Sequence, residues 1–462
     1  MLPICVYFTH PQNLHQSSWN QKSFYLLSHR KKMQKIEFLK SPSIYHIIIV
    51  SSILYVIWIW SPLGLFHSWN EAYYLLRVSY ILKGGSYLDW NFDNPPLFVY
   101  FLLFLSKIFG ISLIAFRMLI VICSLINVYL VYLIGKEING EALASASLFG
   151  FFPMIVIFSK IIQIDLFALM LMTISFYFAL LGIKNRKWLF LSGIFLGLAI
   201  FAKIPMGIVI LPIFFLMLQK KVEIKYFLFL LAEAILIPLP WITYAFLTKP
   251  SFFAPTTSSR NFFGLGKMHS LAPLYQFSMI ILAWSIFIFL LLLFKKKKPI
   301  SAEEKSLALF SLSFSLFFIF LPNHEYYLLP LLIPLFLYIG KAYKKYCKKL
   351  AIIFLSISTI LLLIKPIYDV NWEEACNYIN KHYPRDITIY STNLRVVEYY
   401  THKKVNYLEE NISTNNSVVL FTYADKANLE YLHILQFIQK NFILEKNFHD
   451  KIYIYISKDL VK

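Results

Sequence analysis

Residues 67 to 97, HSWNEAYYLLRVSYILKGGSYLDWNFDNPPL, carry Glu71, Asp89 and Asp93 in a polar, aromatic-rich stretch directly after the first long apolar run. A carboxylate beside a membrane surface can take the proton of an attacking hydroxyl, and a second one nearby can raise its proton affinity or orient the acceptor. A solvated loop also holds acids, and that explanation suffices for Asp89. Glu71, by contrast, opens a helical pattern, and Asp93 stands just before Pro95-Pro96, so both sit where rigid elements begin. Arg117 lies a little way into an apolar run, where a guanidinium needs an interior partner or a polar cavity unless it snorkels to the nearby surface. Lys203 stands where two apolar runs meet, as a simple turn residue or as a cation able to pair with a phosphate leaving group. Asp165 follows Ser159-Lys160 and starts a run, where the helix dipole favours an acid, so capping competes evenly with a role in a site. His324, Glu325 and Tyr326 make a short polar turn ahead of Pro330, and a short turn needs polar residues in any case. Glu233 falls mid-run and is expected to face a bundle interior.

The elements that must position these residues are overwhelmingly apolar. The 462 residues are 58% hydrophobic and 15% charged, with a mean hydropathy of +0.62, which marks a polytopic membrane protein. The net charge of +20 sits in short blocks between apolar runs (HRKK, KNRK, KKKK, KAYKKYCKK). That is the pattern of cytoplasmic loops, not of a nucleic-acid-binding face. Cys5, Cys123, Cys347 and Cys376 are scattered, without disulfide or zinc spacing.

Apolar runs near the length needed to cross a bilayer fall at 44 to 66, 112 to 134, 141 to 158, 165 to 183, 188 to 202, 204 to 219, 226 to 248, 273 to 294, 305 to 321, 327 to 340 and 350 to 366, about eleven transmembrane helices. The run 95 to 110 is ambiguous, and charge decides it. If it crossed, every later loop would change sides and Lys295 to Lys298 would lie outside. It is therefore expected to lie along the outer face behind Pro95 and Pro96. The outer loop 67 to 110 then holds two short juxtamembrane helices, about 70 to 83 and 95 to 109, separated by Gly84-Gly85. On this topology the segments 159 to 165, 203 to 205, 249 to 272 and 322 to 327 all reach the same outer face.

Three regions follow. Residues 1–43 are a cytoplasmic N-terminal extension without signal-peptide features, Met33 being an alternative start. Residues 44–366 form the all-α membrane domain. Residues 367–462 alternate strand-like runs (386 to 391, 417 to 423, 450 to 457) with helical patterns (371 to 382, 393 to 400, 424 to 440), a small α/β domain that an odd number of spans places outside.

Several segments follow one another in a set order: WNEAYY (69 to 74), GGSYL, DNPPL (93 to 97), AFRMLIVICSL (115 to 125), SKIIQID (159 to 165), GLAIFAKIPMG (197 to 207), PW (240 to 241) and NHEYYLLPLLIPL (323 to 335). Over about residues 44 to 340 the chain resembles the GT-C superfamily of integral-membrane glycosyltransferases, in the branch of the protein O-mannosyltransferases and the lipid A aminoarabinose transferases. The resemblance implies a polyprenyl- or dolichyl-phosphate sugar donor, an outer-face site, inversion at the anomeric carbon, and a hydroxyl acceptor on protein, lipid or glycan. In that pattern the loop after the first span reads Asp-Glu, whereas here it reads Asn70-Glu71. An amide takes no proton, so the base is Glu71 or Asp93, or the reaction has been lost. Lys160 stands where the pattern has an arginine, and Gln163 where it has a neighbouring basic residue. The implied donor-phosphate ligands are Arg117, Lys203, Arg260 and Lys160, with Asn70, Asp165, His324, Glu325 and Tyr326 supporting the site. No cofactor is required, although an Asp/Glu pair is compatible with a divalent ion, as in the oligosaccharyltransferase branch. The implied partners are membrane lipids, the lipid-phosphate-linked sugar and its acceptor. A transporter of lipid-linked sugars would spread its polar residues through the membrane depth on broken helices. An inactive carrier-binding homologue would keep the cations and lack the base.

Overall fold

The computed structural model describes residues 43–60, 69–89, 94–138, 141–250, 301–319, 325–342, 344–363, 372–384, 386–408, 412–422, 432–448 and 452–461. Asp93, Arg260, His324 and the apolar run 273 to 294 lie outside these residues, as do the side chains of Asn70, Glu325 and Tyr326.

Helix α1 (Ile44–Trp60) is followed by the short helices α2 (Trp69–Leu82) and α3 (Leu97–Phe109), then by α4 (Leu113–Glu137). Gly84, with φ of +94°, ends α2 in a turn that a side chain would strain. The run 141 to 158 is not one continuous helix. It is divided into α5 (Ala142–Phe151) and α6 (Pro153–Phe158), because Pro153 has no N–H to continue α5 and stands at the first turn of α6. Helices α7 (Ile164–Lys184) and α8 (Lys187–Ala202) pack along their length, and Ser175 and Ser192 donate reciprocally to each other's backbone carbonyl at 2.8 and 2.9 Å. A 3₁₀ turn (Ile204–Val209) leads into α9 (Ile210–Gln219). The run 226 to 248 is likewise divided, into α10 (Ile224–Leu236) and α11 (Leu239–Thr248), with Pro238 at the break. Helices α12 (Ala302–Ile319), α13 (Leu329–Ala342) and α14 (Lys344–Leu363) complete the membrane part. By length and composition, Leu113–Glu137, Ile164–Lys184 and the Ile224–Thr248 pair are long and apolar enough to cross a membrane among the described residues; shorter apolar helices flank them.

Close helix approach uses small residues. A methyl group added at Gly197 of α8 would come within 2.8 Å of Ile237 Cδ1 and 3.1 Å of the Ala234 carbonyl, and one at Gly193 within 2.9 Å of the Leu230 carbonyl. The two glycines, four residues apart, thus form the groove in which α10 lies, a small-residue crossing of the kind lipid-embedded helices rely on. Glu233 faces this groove against Gly193, in agreement with its expected inward direction.

The described residues between 372 and 460 build a five-stranded sheet in the order β2-β1-β3-β5-β4. Its strands are β1 (Thr388–Ser391), β2 (Val405–Tyr407), β3 (Ser417–Thr422), β4 (Phe442–Phe448) and β5 (Ile452–Ser457). Strand β1 pairs in parallel with β2 and β3, while β5 runs antiparallel to β3 and β4. Alternating side chains feed two cores. Val418, Leu420, Ile452, Ile454 and Ile456 pack with α15 (Trp372–His382) and α16 (Leu394–Thr401) on one face; Val419, Phe421, Tyr453 and Tyr455 pack with α17 (Leu432–Asn441) on the other.

Candidate active site

Helix α2 is short, yet Glu71, Ala72, Tyr73, Tyr74, Leu75, Arg77 and Val78 are all buried. Glu71 stands in its first turn, and Arg117 in the opening turns of α4, whose N-terminus is capped by Ser112 Oγ accepting from Ala115 N–H. These two helix starts meet. Arg117 donates from Nε to Glu71 Oε1 at 3.0 Å and from Nη2 to Oε2 at 2.9 Å, a planar fork sealed from solvent. Glu71 Oε1 also accepts the Ile162 backbone N–H at 3.1 Å, which ties the loop between α6 and α7 to the same carboxylate. The interior partner that an intramembrane arginine requires is therefore Glu71, and the snorkelling alternative does not hold for Arg117.

That loop carries Lys160, which is also fully buried. Burial, with the Arg117 guanidinium next in effect, pushes its ammonium down to about 7; the Glu71 carboxylate opposes the shift. Asp165, in the first turn of α7, accepts from Lys203 Nζ in a second buried ion pair. Lys203 ends α8, and its ammonium lies 4.2 Å from the centre of the Tyr327 ring, on the 3₁₀ turn Glu325–Leu328. Asp165 is thus more than a helix cap, and Lys203 more than a turn residue. The segment 160–165 links the two ion pairs: Lys160 and the Ile162 N–H belong with Glu71 and Arg117, while Asp165 holds Lys203, whose ammonium meets Tyr327 next to Glu325 and Tyr326 in the chain.

Asp89 keeps its structural role. Its Oδ2 accepts from the Ser86 N–H and from Tyr80 Oη, both at 2.9 Å, and these bonds hold the exposed carboxyl below the usual carboxylate range. Lys249 approaches Oδ1 at 3.8 Å. Among the described residues no three His, Cys, Asp or Glu side chains converge on one point.

Two buried residues were not expected from the sequence. Arg77 is 1% exposed; it donates to Tyr73 Oη at 2.6 Å and lies 3.9 Å over the Tyr87 ring. The spacing of Tyr73 and Arg77, one helical turn apart, is the signal that pairs them. Tyr74 packs edge-on against Phe98, and burial, followed by the Asp165 carboxylate, raises its phenol so that it stays protonated.

The family model described as dolichyl-phosphate-mannose-protein mannosyltransferase matches residues 93–244, a stretch that opens at Asp93 and takes in Arg117, Lys160, Asp165 and Lys203. No curated protein matches the chain in sequence. Among solved structures, ArnT from Cupriavidus metallidurans bound to undecaprenyl phosphate superposes with a TM-score of 0.57 at 12% identity, covering 91% of this chain and 100% of that one. ArnT from the same organism in the apo state gives a TM-score of 0.58 at 12% identity, over 90% of this chain and 98% of that one. With these motifs, this arrangement of helices and a match that spans nearly the whole chain, the protein has the GT-C fold of integral-membrane glycosyltransferases.

Proposed function

We propose that the protein transfers a sugar from a polyprenyl-phosphate donor to a hydroxyl acceptor, at the outer membrane face. The observation that carries this reading is the gathering of three buried cations, Arg117, Lys160 and Lys203, at the starts and ends of apolar helices. A lipid phosphate whose tail lies in the bilayer would meet its counter-charges at that level, whereas a transported solute would need polar groups through the membrane depth. In the reaction, the acceptor oxygen attacks the anomeric carbon from the face opposite the phosphate, and the bond from that carbon to the phosphate oxygen breaks with its electron pair. The acceptor proton passes to a carboxylate, and the departing lipid phosphate is stabilised by the cations, an effect that is largest where water is excluded.

The base we assign is Asp93. Both oxygens of Glu71 already accept from Arg117 and Ile162, so a proton from the acceptor would have to break that fork. Glu71 acts instead as the group that orients Arg117. The test is an assay of the purified protein in nanodiscs with a radiolabelled polyprenyl-phosphate sugar and mixed lipid, glycan and peptide acceptors. Label should move from the lipid donor; Asp93→Asn should lower kcat by about a hundredfold, and Asp89→Asn should stay within about twofold of wild type. Donor binding without transfer to any acceptor would mark the carrier-binding homologue and overturn the enzymatic reading.

Lys160 gives this reading a pH signature. Its ammonium is held down to about 7, so the charge that favours phosphate is present below that pH and lost above it. Accordingly kcat/KM, which reports the free enzyme, should fall as pH rises through about 7, and Lys160→Arg should remove that limb. Stability responds in the opposite sense. The unfolded lysine stays protonated up to its ordinary value of 10.5, so the unfolded state binds more protons between the two values and the fold gains stability as pH rises across that window. Opposite slopes for kcat/KM and for unfolding midpoint would separate the catalytic effect from a folding one.

A further inference from the structure

The helix that carries Glu71 is held from two sides. Residues one position apart on a helix point about 100° apart, and here they enter different cores. Tyr73, Tyr74, Leu75 and Val78 join the membrane core, whereas Ala72, fully buried, belongs to the core that Trp372, Ala375, Cys376, Val396 and Val397 form with the C-terminal sheet. Helix α16 packs directly on α2. Its Tyr399 reaches into the membrane core, and Tyr400 packs at the edge of the C-terminal one, with its backbone carbonyl accepting from Asn380 Nδ2 at 3.1 Å. The Tyr400 phenol lies within electrostatic reach of Arg117: burial and then Glu373 raise it, and the guanidinium opposes them.

We propose that the C-terminal unit is a working part of the candidate site: through Ala72 and Tyr400 it fixes α2 in the register that sets Glu71 against Arg117, with Tyr400 as the positioning residue. The consequence for transfer rests on the glycosyltransferase reading, but the mechanical statement does not. An alanine at the contact allows close approach of α16; a larger side chain there forces the two apart. The Tyr400 ring packs against the core that holds Ala72, a contact made by its apolar surface, so phenylalanine should serve in its place.

The experiment measures amide hydrogen exchange across Trp69–Leu82 in the full chain, with no substrate present, alongside steady-state transfer. Ala72→Leu and the milder Tyr400→Ala should each speed exchange in that helix by about tenfold or more, and Tyr400→Phe should restore the wild-type rate. Ile438→Ala, on the other face of the sheet, should loosen the C-terminal unit without this effect. In transfer, Ala72→Leu and Tyr400→Ala should lower kcat by about tenfold while the donor KM stays within about twofold, a split that general unfolding would not produce. Unchanged exchange in both variants, or equal acceleration in Ile438→Ala, overturns the positioning role. Absence of transfer in the wild type would overturn the enzymatic reading alone, since the exchange result is obtained without substrate.

Discussion

Arg117→Met is expected to lower transfer by about a thousandfold, the upper end of what one electrostatic contact to a departing anion contributes, and to destabilise the fold by about 3–5 kcal/mol. The second effect arises because Glu71 would be left as a buried carboxylate retaining only the Ile162 N–H among its observed donors. Glu71→Gln should be similar in direction, since it leaves the guanidinium buried against a neutral amide. Stability alone cannot assign the pair a role in chemistry, because removing either half of any buried ion pair is destructive. The double variant Glu71→Gln/Arg117→Met separates the two contributions. It removes both charges and keeps an oxygen able to accept from Ile162, so unfolding should return to within about 2 kcal/mol of wild type. Transfer should remain at the level of Arg117→Met. If activity recovers with stability, the pair is a structural pin and the phosphate role assigned to Arg117 falls.

Much of this arrangement is legible in the sequence, because the signals concerned are local. The helices at 69–82, 97–109, 113–137 and 164–184 follow from apolar runs and from the punctuation of Gly84-Gly85 and Pro95-Pro96. The cost of an isolated guanidinium in lipid demanded a partner for Arg117, but not which one: Glu71 is 46 positions away, and Ile162 lies 91 beyond Glu71. Periodicity carries no information about pairing over such separations. The same limit hid Ala72, whose small side chain has no local meaning and acquires one only when α16 is laid on it. Arg77 stands in none of the sequence motifs' assigned roles, although an arginine one turn from a tyrosine can be buried between rings. Strands β2 and β4 were missed for a physical reason as well. The first has three residues, and the second is an edge strand whose middle, from Ile443 to Asn447, is exposed, so neither shows the alternation that marks a half-buried strand.

The second large effect is expected at Asp165 and Lys203. Lys203→Met should reduce kcat/KM for the lipid donor by about a thousandfold, and it should also destabilise, because Asp165 loses its buried counter-ion. Lys203→Arg should not rescue: the fork-shaped guanidinium does not occupy the place of a compact ammonium set over the Tyr327 ring. The decisive comparison is the exchanged pair Asp165→Lys/Lys203→Asp. If the pair serves only to join α7 to the end of α8, exchange keeps one acid and one base in the same layer and should restore both folding and transfer. If Lys203 is the donor-phosphate ligand, the exchange places a carboxylate where the phosphate must come, so folding should recover and transfer should not. Donor titration distinguishes the cases: a recovered unfolding midpoint together with a donor KM still raised by about a hundredfold supports the ligand role, and a donor KM equal to that of wild type removes it. The two buried pairs would then divide the work by geometry, Glu71 orienting a fork at the start of α4 and Asp165 steadying a point charge at the end of α8.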